Sequence, residues 1–180
     1  MTKATCSISS LGLLVLLLAF AGCDHQAIES GDTIQRDGQP DVMYVEKGDS
    51  EMEQARQKAR ETVDQFIKAL DSPTPSQSHF AIKVPIEEND LVEHMWLNPV
   101  RHDAGRFFGV LNNNPVMITT VKAGDQVEAS TDEISDWRYI EDGKLVGGYS
   151  IRLMHSRLSE AEREAFDQQS PYKIESSPFD

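Results

Sequence analysis

Between Met52 and Leu70 apolar residues return every three or four positions: Met52, Ala55, Ala59, Val63, Phe66 and Leu70. That spacing is the period of a helix with one buried stripe. Gln54, Lys58, Glu61 and Gln65 fall on the opposite, solvated face. Ser50 and Glu53 have the spacing of a capping box, and Pro73 closes the segment.

Beyond Pro73 the period changes to two. Phe80, Ile82, Val84 and Ile86 alternate with His79, Ala81, Lys83 and Pro85, the mark of a half-buried strand. Leu91–Leu97 and Arg106–Leu111 read as two further strands, with Asp103-Ala104-Gly105 turning the chain between them. Asn112-Asn113-Asn114-Pro115 breaks it, after which Val116–Val121 and Gln126–Ala129 read as strands around an Ala123-Gly124-Asp125 turn. Trp137–Glu141 and Lys144–Gly148 flank Asp142-Gly143, a strong hairpin signal. Ser150 can cap a helix using Ile151, Met154 and Leu158, and Ser159 with Glu162 begins a last short helix through Phe166. Upstream, Val42–Val45 is a short strand, and the tail from Gln168 is expected to fray. Many short strands with helices gathered at both ends indicate an α+β fold. The expected form is a curved antiparallel sheet or a partly closed small barrel. The capped N-terminal helix packs on it, and short helices close the chain.

The N-terminus has a different texture. Lys3 precedes an apolar run from Leu11 to Gly22, and small residues stand immediately before Cys23. This is the layout of a secretory signal peptide over residues 1–22. The run's 12 residues make a helix of about 18 Å, against a hydrocarbon core of about 30 Å. A membrane span is therefore the poorer reading. Ala19-Phe20-Ala21-Gly22-Cys23 resembles a bacterial lipobox, departing from it at Phe20, and so nominates Cys23 as the lipidated residue. Asp24 then favours retention at the periplasmic face of the inner membrane. Residues 24–41 are polar, without apolar period, and read as a flexible tether starting from Cys23.

Only Cys6 and Cys23 are present, so the chain beyond the lipobox has no thiol and must be stabilised by its core. Residues 1–23 hold one lysine and no acid. The remainder therefore carries 16 of the 17 basic residues and all 30 acidic ones, a net −14. Acids spread this evenly argue against nucleic acid and against adhesion to anionic lipid. They permit a basic envelope protein as partner.

The motifs that carry chemistry are sparse. Glycine-rich phosphate loops and metal-binding histidine pairs are absent from the sequence, and no metal or cofactor is expected. Gly148-Tyr149-Ser150 begins like a nucleophile elbow, but Arg152 stands where its second glycine belongs. What remains is a constellation. Glu93, His94 and Asp136 are candidate acid–base or polar contacts. Trp96, Trp137 and Tyr149 are candidate apolar walls, and Gly147-Gly148 would let backbone approach a ligand. Each has an ordinary structural explanation: tryptophans are usually core, aspartates cap turns, and paired glycines mark bulges or close contacts.

The segments Phe80-Ala-Ile-Lys-Val84, Glu93-His-Met-Trp-Leu97, Ile134-Ser-Asp-Trp-Arg-Tyr139 and Asp142-Gly-Lys-Leu-Val-Gly-Gly-Tyr149 resemble those of the YegJ-like bacterial proteins of unknown function. The resemblance covers most of residues 42–167. It implies one domain and often an envelope location, and it implies no activity. The sequence thus suggests a lipid-anchored, non-catalytic binding or accessory module. The rival is a small hydrolase using Glu93 or Asp136 with His94.

Overall fold

The computed structural model describes residues 48–175 and 179 in full and the backbone of residues 33–36 and 39–43. The apolar leader, Cys23 and Asp24 lie outside the described residues, as does most of the expected tether. Two short antiparallel strands, β1 (Thr33–Arg36) and β2 (Gln39–Met43), pair across the end of the span read as tether. Val42 and Met43 of the expected Val42–Val45 strand belong to β2.

The helical stripe is realised with two changes. Asp49, not Ser50, caps α1 (Ser50–Glu61), its side chain accepting from the backbone N–H groups of Glu51 and Met52. Glu53 instead pairs with Arg56 and Arg60. The helix also breaks at Thr62, whose hydroxyl donates to the Lys58 carbonyl at 2.7 Å. A hydroxyl bonded to the preceding turn competes with continued helix. After it, α2 (Val63–Asp71) carries the stripe onward. Met52, Ala55, Ala59, Val63 and Phe66 are buried, and Leu70 is half-buried.

The stripe lies against a six-stranded antiparallel sheet, β3 (Gln77–Glu88), β4 (Leu91–Asp103), β5 (Arg106–Leu111), β6 (Gln126–Ser130), β7 (Asp136–Glu141) and β8 (Lys144–Gly147). The spatial order is β6-β5-β4-β3-β7-β8, and the sheet stays open. Both β3 and β4 are long, and β4 runs well beyond Leu97. Ile82, Leu97 and Trp137 stand in one cross-strand row on the inner face, and all three are fully buried. Phe66 of α2 meets Phe80, Phe107 and Trp137 with ring centroids 5.5–6.0 Å apart. Burying each such side chain contributes about 1.5–3 kcal/mol, so this aromatic junction anchors the helices to the sheet.

Two expectations fail for identifiable reasons. Residues 116–121 form a loop, not a strand, because side-chain carboxylates take the backbone donors a strand would use. Glu93 accepts from Val116, Met117 and Ile118 at 2.6–2.8 Å, and Glu88 accepts from Thr119 at 2.6 Å. The tail does not fray at Gln168 either. After α3 (Tyr149–Arg157), α4 (Glu160–Gln169) runs to Gln169, capped by Ser159 and Glu162 as expected. Lys173 then adds to the open edge of β8: its N–H bonds the Gly143 carbonyl, and its carbonyl accepts from Leu145, both at 2.9 Å.

Candidate functional site

The turn from β8 into α3 explains the paired glycines. Gly147 and Gly148 both have positive φ, 69° and 64°, where a side chain is disfavoured. A Cβ on Gly147 would lie 2.4 Å from both the ring and the carbonyl oxygen of Trp137, and one on Gly148 would lie 2.8 Å from Leu145. The glycines serve close packing on protein side chains. Ser150 was expected to cap α3, but Gly148 occupies that position and has no side chain to offer.

Asp136 supplies the missing cap from across the sheet. Its carboxylate accepts from the N–H of Trp137 (2.8 Å), Tyr149 (3.1 Å) and Ser150 (2.9 Å), and from the Ser150 hydroxyl (2.6 Å). The first N–H groups of a helix have no partner within it, so a buried carboxylate placed there satisfies donors and complements the helix dipole. Burial pushes the Asp136 carboxyl above its ordinary value, opposed by the Ser150 hydrogen bond and the nearby Lys83 charge. Lys83, directly opposite Asp136 in β3, reaches the Ser150 hydroxyl at 3.4 Å.

The nominated aromatic pocket does not assemble. Trp137 is fully buried, with its indole N–H donating to the Ala59 carbonyl at 2.9 Å. Tyr149 is buried edge-on against Trp137, its hydroxyl 2.9 Å from that of Thr62. Trp96 stands on the opposite sheet face, because its neighbours Met95 and Leu97 are the core-facing residues of β4. The acid–base trio is divided in the same way. Glu93 is core-facing and engaged by the 116–118 loop, whereas His94 points outward beside Pro85. The bonds of Asp136 go to the α3 turn.

The outer face instead gathers Trp96 and His94 with Lys83, Arg138 and Tyr172, three residues that the sequence did not nominate. Lys83 and Trp96 are direct cross-strand partners, and Arg138 follows two positions after Asp136 on the same side of β7. The Trp96 ring, half-buried, has the Lys83 ammonium 5.5 Å from its centroid and the Arg138 guanidinium at 5.3 Å. Arg138 also lies 5.9 Å from the ring centroid of Tyr172, carried in by the C-terminal tail. Ala81, opposite Arg138, is fully covered; its small side chain leaves room for the larger ones to converge above it. Two positions along β4 from Trp96, His94 has a buried Nδ1 without a hydrogen-bond partner among the described residues. Burial, with Arg56 and Lys83 adding positive charge, lowers its pKa to about 4. Lys83 is lowered by burial as well. The period-two alternation sets Lys83 opposite Ile82, and the register of β3 with β4 brings it beside Trp96. Nothing in the sequence placed Arg138 or Tyr172 beside them.

Among the described residues no group of three or more His, Cys, Asp or Glu is arranged to hold a metal ion. Nor is any helix among them long and apolar enough to cross a membrane.

Residues 49–173 match the model of the DUF2314 family, described as an uncharacterized protein conserved in bacteria. The chain belongs to that family. It is 36% identical over 100 residues to the uncharacterized protein YegJ of Escherichia coli K12, covering 56% of this chain and 64% of that one. It is 34% identical over 134 residues to a Neisseria meningitidis serogroup B protein named "Putative ankyrin repeat protein", covering 70% of this chain and 53% of that one. The chain thus spans less than two thirds of either relative's length. No solved structure matches it.

Proposed function

We propose that this protein is a non-catalytic binding or accessory module of the bacterial cell envelope, held there by lipid on Cys23. The observation that carries the non-catalytic part is that both candidate carboxylates are committed to backbone donors. Glu93 accepts three backbone N–H groups and Asp136 accepts three more plus a hydroxyl. A general base must present a free lone pair to the proton it removes. His94 faces away from Glu93, and Asp136 is taken up by the α3 turn, so the hydrolase reading has no pair with which to work.

The anchor part rests on the lipobox-like run before Cys23, and Asp24 favours the periplasmic face of the inner membrane. The partners on this reading are the membrane, through the lipid, and an envelope protein whose basic surface complements the acidic one. Nucleic acid is not a partner. Membrane flotation with mass analysis of the N-terminus tests the anchor. The wild-type chain should float and carry a diacylglyceryl group with an acyl chain on Cys23, and Cys23→Ser should not. A soluble, processed wild-type chain with an unmodified N-terminus overturns the reading.

A further inference from the structure

We propose that the outer sheet face holds a carboxylate-binding position, with Arg138 as its anchor, Lys83 as its second cation and Trp96 as the surface along which the ligand's apolar body lies. The inference rests on the binding-module reading and gives it a ligand class.

Three features converge. The first is a guanidinium with its donors unused. Arg138 lies over the rings of Trp96 and Tyr172, and among the described residues it makes neither an ion pair nor a hydrogen bond. A guanidinium carries five N–H donors in its own plane. Aromatic faces attract the cation but do not satisfy those in-plane donors. The rings hold the group in place, and its edge is left for an acceptor of matching planar geometry. A carboxylate fits that fork through two parallel hydrogen bonds.

The second feature is charge. Asp136 is the carboxylate beside Lys83 on this face, and it is committed to the α3 turn. Arg56, on α1, shares Glu53 with Arg60 and belongs to that ion-pair group. Lys83, Arg138 and Asp136 together leave the face about one positive charge within a protein of formal net charge −13. One unit balances a carboxylate and under-compensates a phosphate dianion.

The third is preorganisation. Tyr172 reaches Arg138 because Lys173 is pinned to β8, and Lys144 pairs with Glu175 at 2.7 Å just beyond. The unpartnered, buried Nδ1 of His94 lies along the same face. Burial keeps that ring neutral near pH 7, so it adds no charge to the site.

The test exploits the two tryptophans. Trp137 is sealed in the core, so only Trp96 can report a ligand on the outer face. The full chain in non-ionic detergent is titrated at pH 7 and fixed ionic strength with sodium benzoate, acetate, phosphate and chloride, and tryptophan emission is followed. Benzoate should give a saturable change and acetate a weaker one, while chloride gives none. Arg138→Gln should weaken benzoate by about tenfold or more, and Arg138→Lys should also bind less well because it keeps charge but loses the fork. Trp96→Phe should lose the optical signal while calorimetry still detects benzoate. Unchanged affinity in folded Arg138→Gln or Arg138→Lys, a response to chloride equal to that of benzoate, or phosphate binding more tightly than either carboxylate overturns the proposal. Flotation of the Cys23 forms reads the anchored-module proposal separately, so the two can fail independently.

Discussion

Replacing Asp136 tests the link between sheet and helix most directly. The side chain is fully buried and accepts four hydrogen bonds at 2.6–3.1 Å. Asp136→Ala leaves three backbone N–H groups and the Ser150 hydroxyl without their acceptor, and leaves Lys83 without its nearest counter-charge. Removing one member of a buried charged network costs about 3–5 kcal/mol. An unsatisfied buried donor alone costs about 1–3 kcal/mol, so that range does not require every donor to be orphaned. In a domain of this size it corresponds to a melting temperature lower by roughly 10–20 °C.

Asp136→Asn separates shape from charge. The amide keeps one oxygen for part of the cap but turns an NH₂ toward donors, so about 2–3 kcal/mol is expected. Urea unfolding followed by far-ultraviolet circular dichroism measures both variants, and amide exchange at Tyr149 and Ser150 locates the effect. If Asp136→Asn unfolds within about 0.5 kcal/mol of wild type, the change is in the range of an ordinary surface substitution. The carboxylate would then not be the cap of α3, and Asp136 would return as a candidate for chemistry.

Two further outcomes follow from the same geometry. Glu93→Gln should cost about 1–3 kcal/mol and accelerate amide exchange at Val116, Met117 and Ile118, because an amide cannot accept from all three. His94 has its pKa lowered from 6.5 to about 4, chiefly by burial. The unfolded chain therefore takes up a proton that the folded ring refuses, so stability is fully present above pH 6.5 and declines as pH falls toward 4. The loss is about 2 kcal/mol once partial exposure is discounted, and His94→Gln should flatten this segment of a stability-against-pH curve.

The parts of the fold visible in the sequence were those set by repeating pattern. Met52 to Leu70 declared a helix by period, and the alternations through Val84 and Leu97 declared strands with their faces already sorted. Asp142-Gly143 and the Ser159/Glu162 box marked local geometry that neighbours alone determine. The misses share a different cause. Val116–Val121 has the composition of a strand, yet Glu93 and Glu88 satisfy its donors from another element. Thr62 interrupts a perfect stripe through one hydroxyl bonded to the turn behind it. Asp49 displaces Ser50 as cap, and Arg157 binds it bidentately from α3 at 2.5 and 2.9 Å. Each depends on a side chain meeting backbone or charge far away in the chain, and a period carries no record of such meetings.

The same distinction governs which charged residues carry functional information. In a chain with 30 acidic residues and 17 basic ones, a carboxylate beside a histidine is weak grounds for catalysis. Glu93 shows why. Once the strand turns it toward the core, burial obliges it to find donors, and the nearest backbone supplies them. Its conspicuous position is a consequence of folding. The converse holds for cations. With acids in such excess, an arginine readily finds a carboxylate partner, as Arg157 does with Asp49 and Glu51, and Arg60 with Glu53. Arg138 is instead set against the rings of Trp96 and Tyr172, which hold it in place without neutralising it. Folding alone gives no reason to keep a half-buried guanidinium away from so many available anions. A ligand that brings its own carboxylate does.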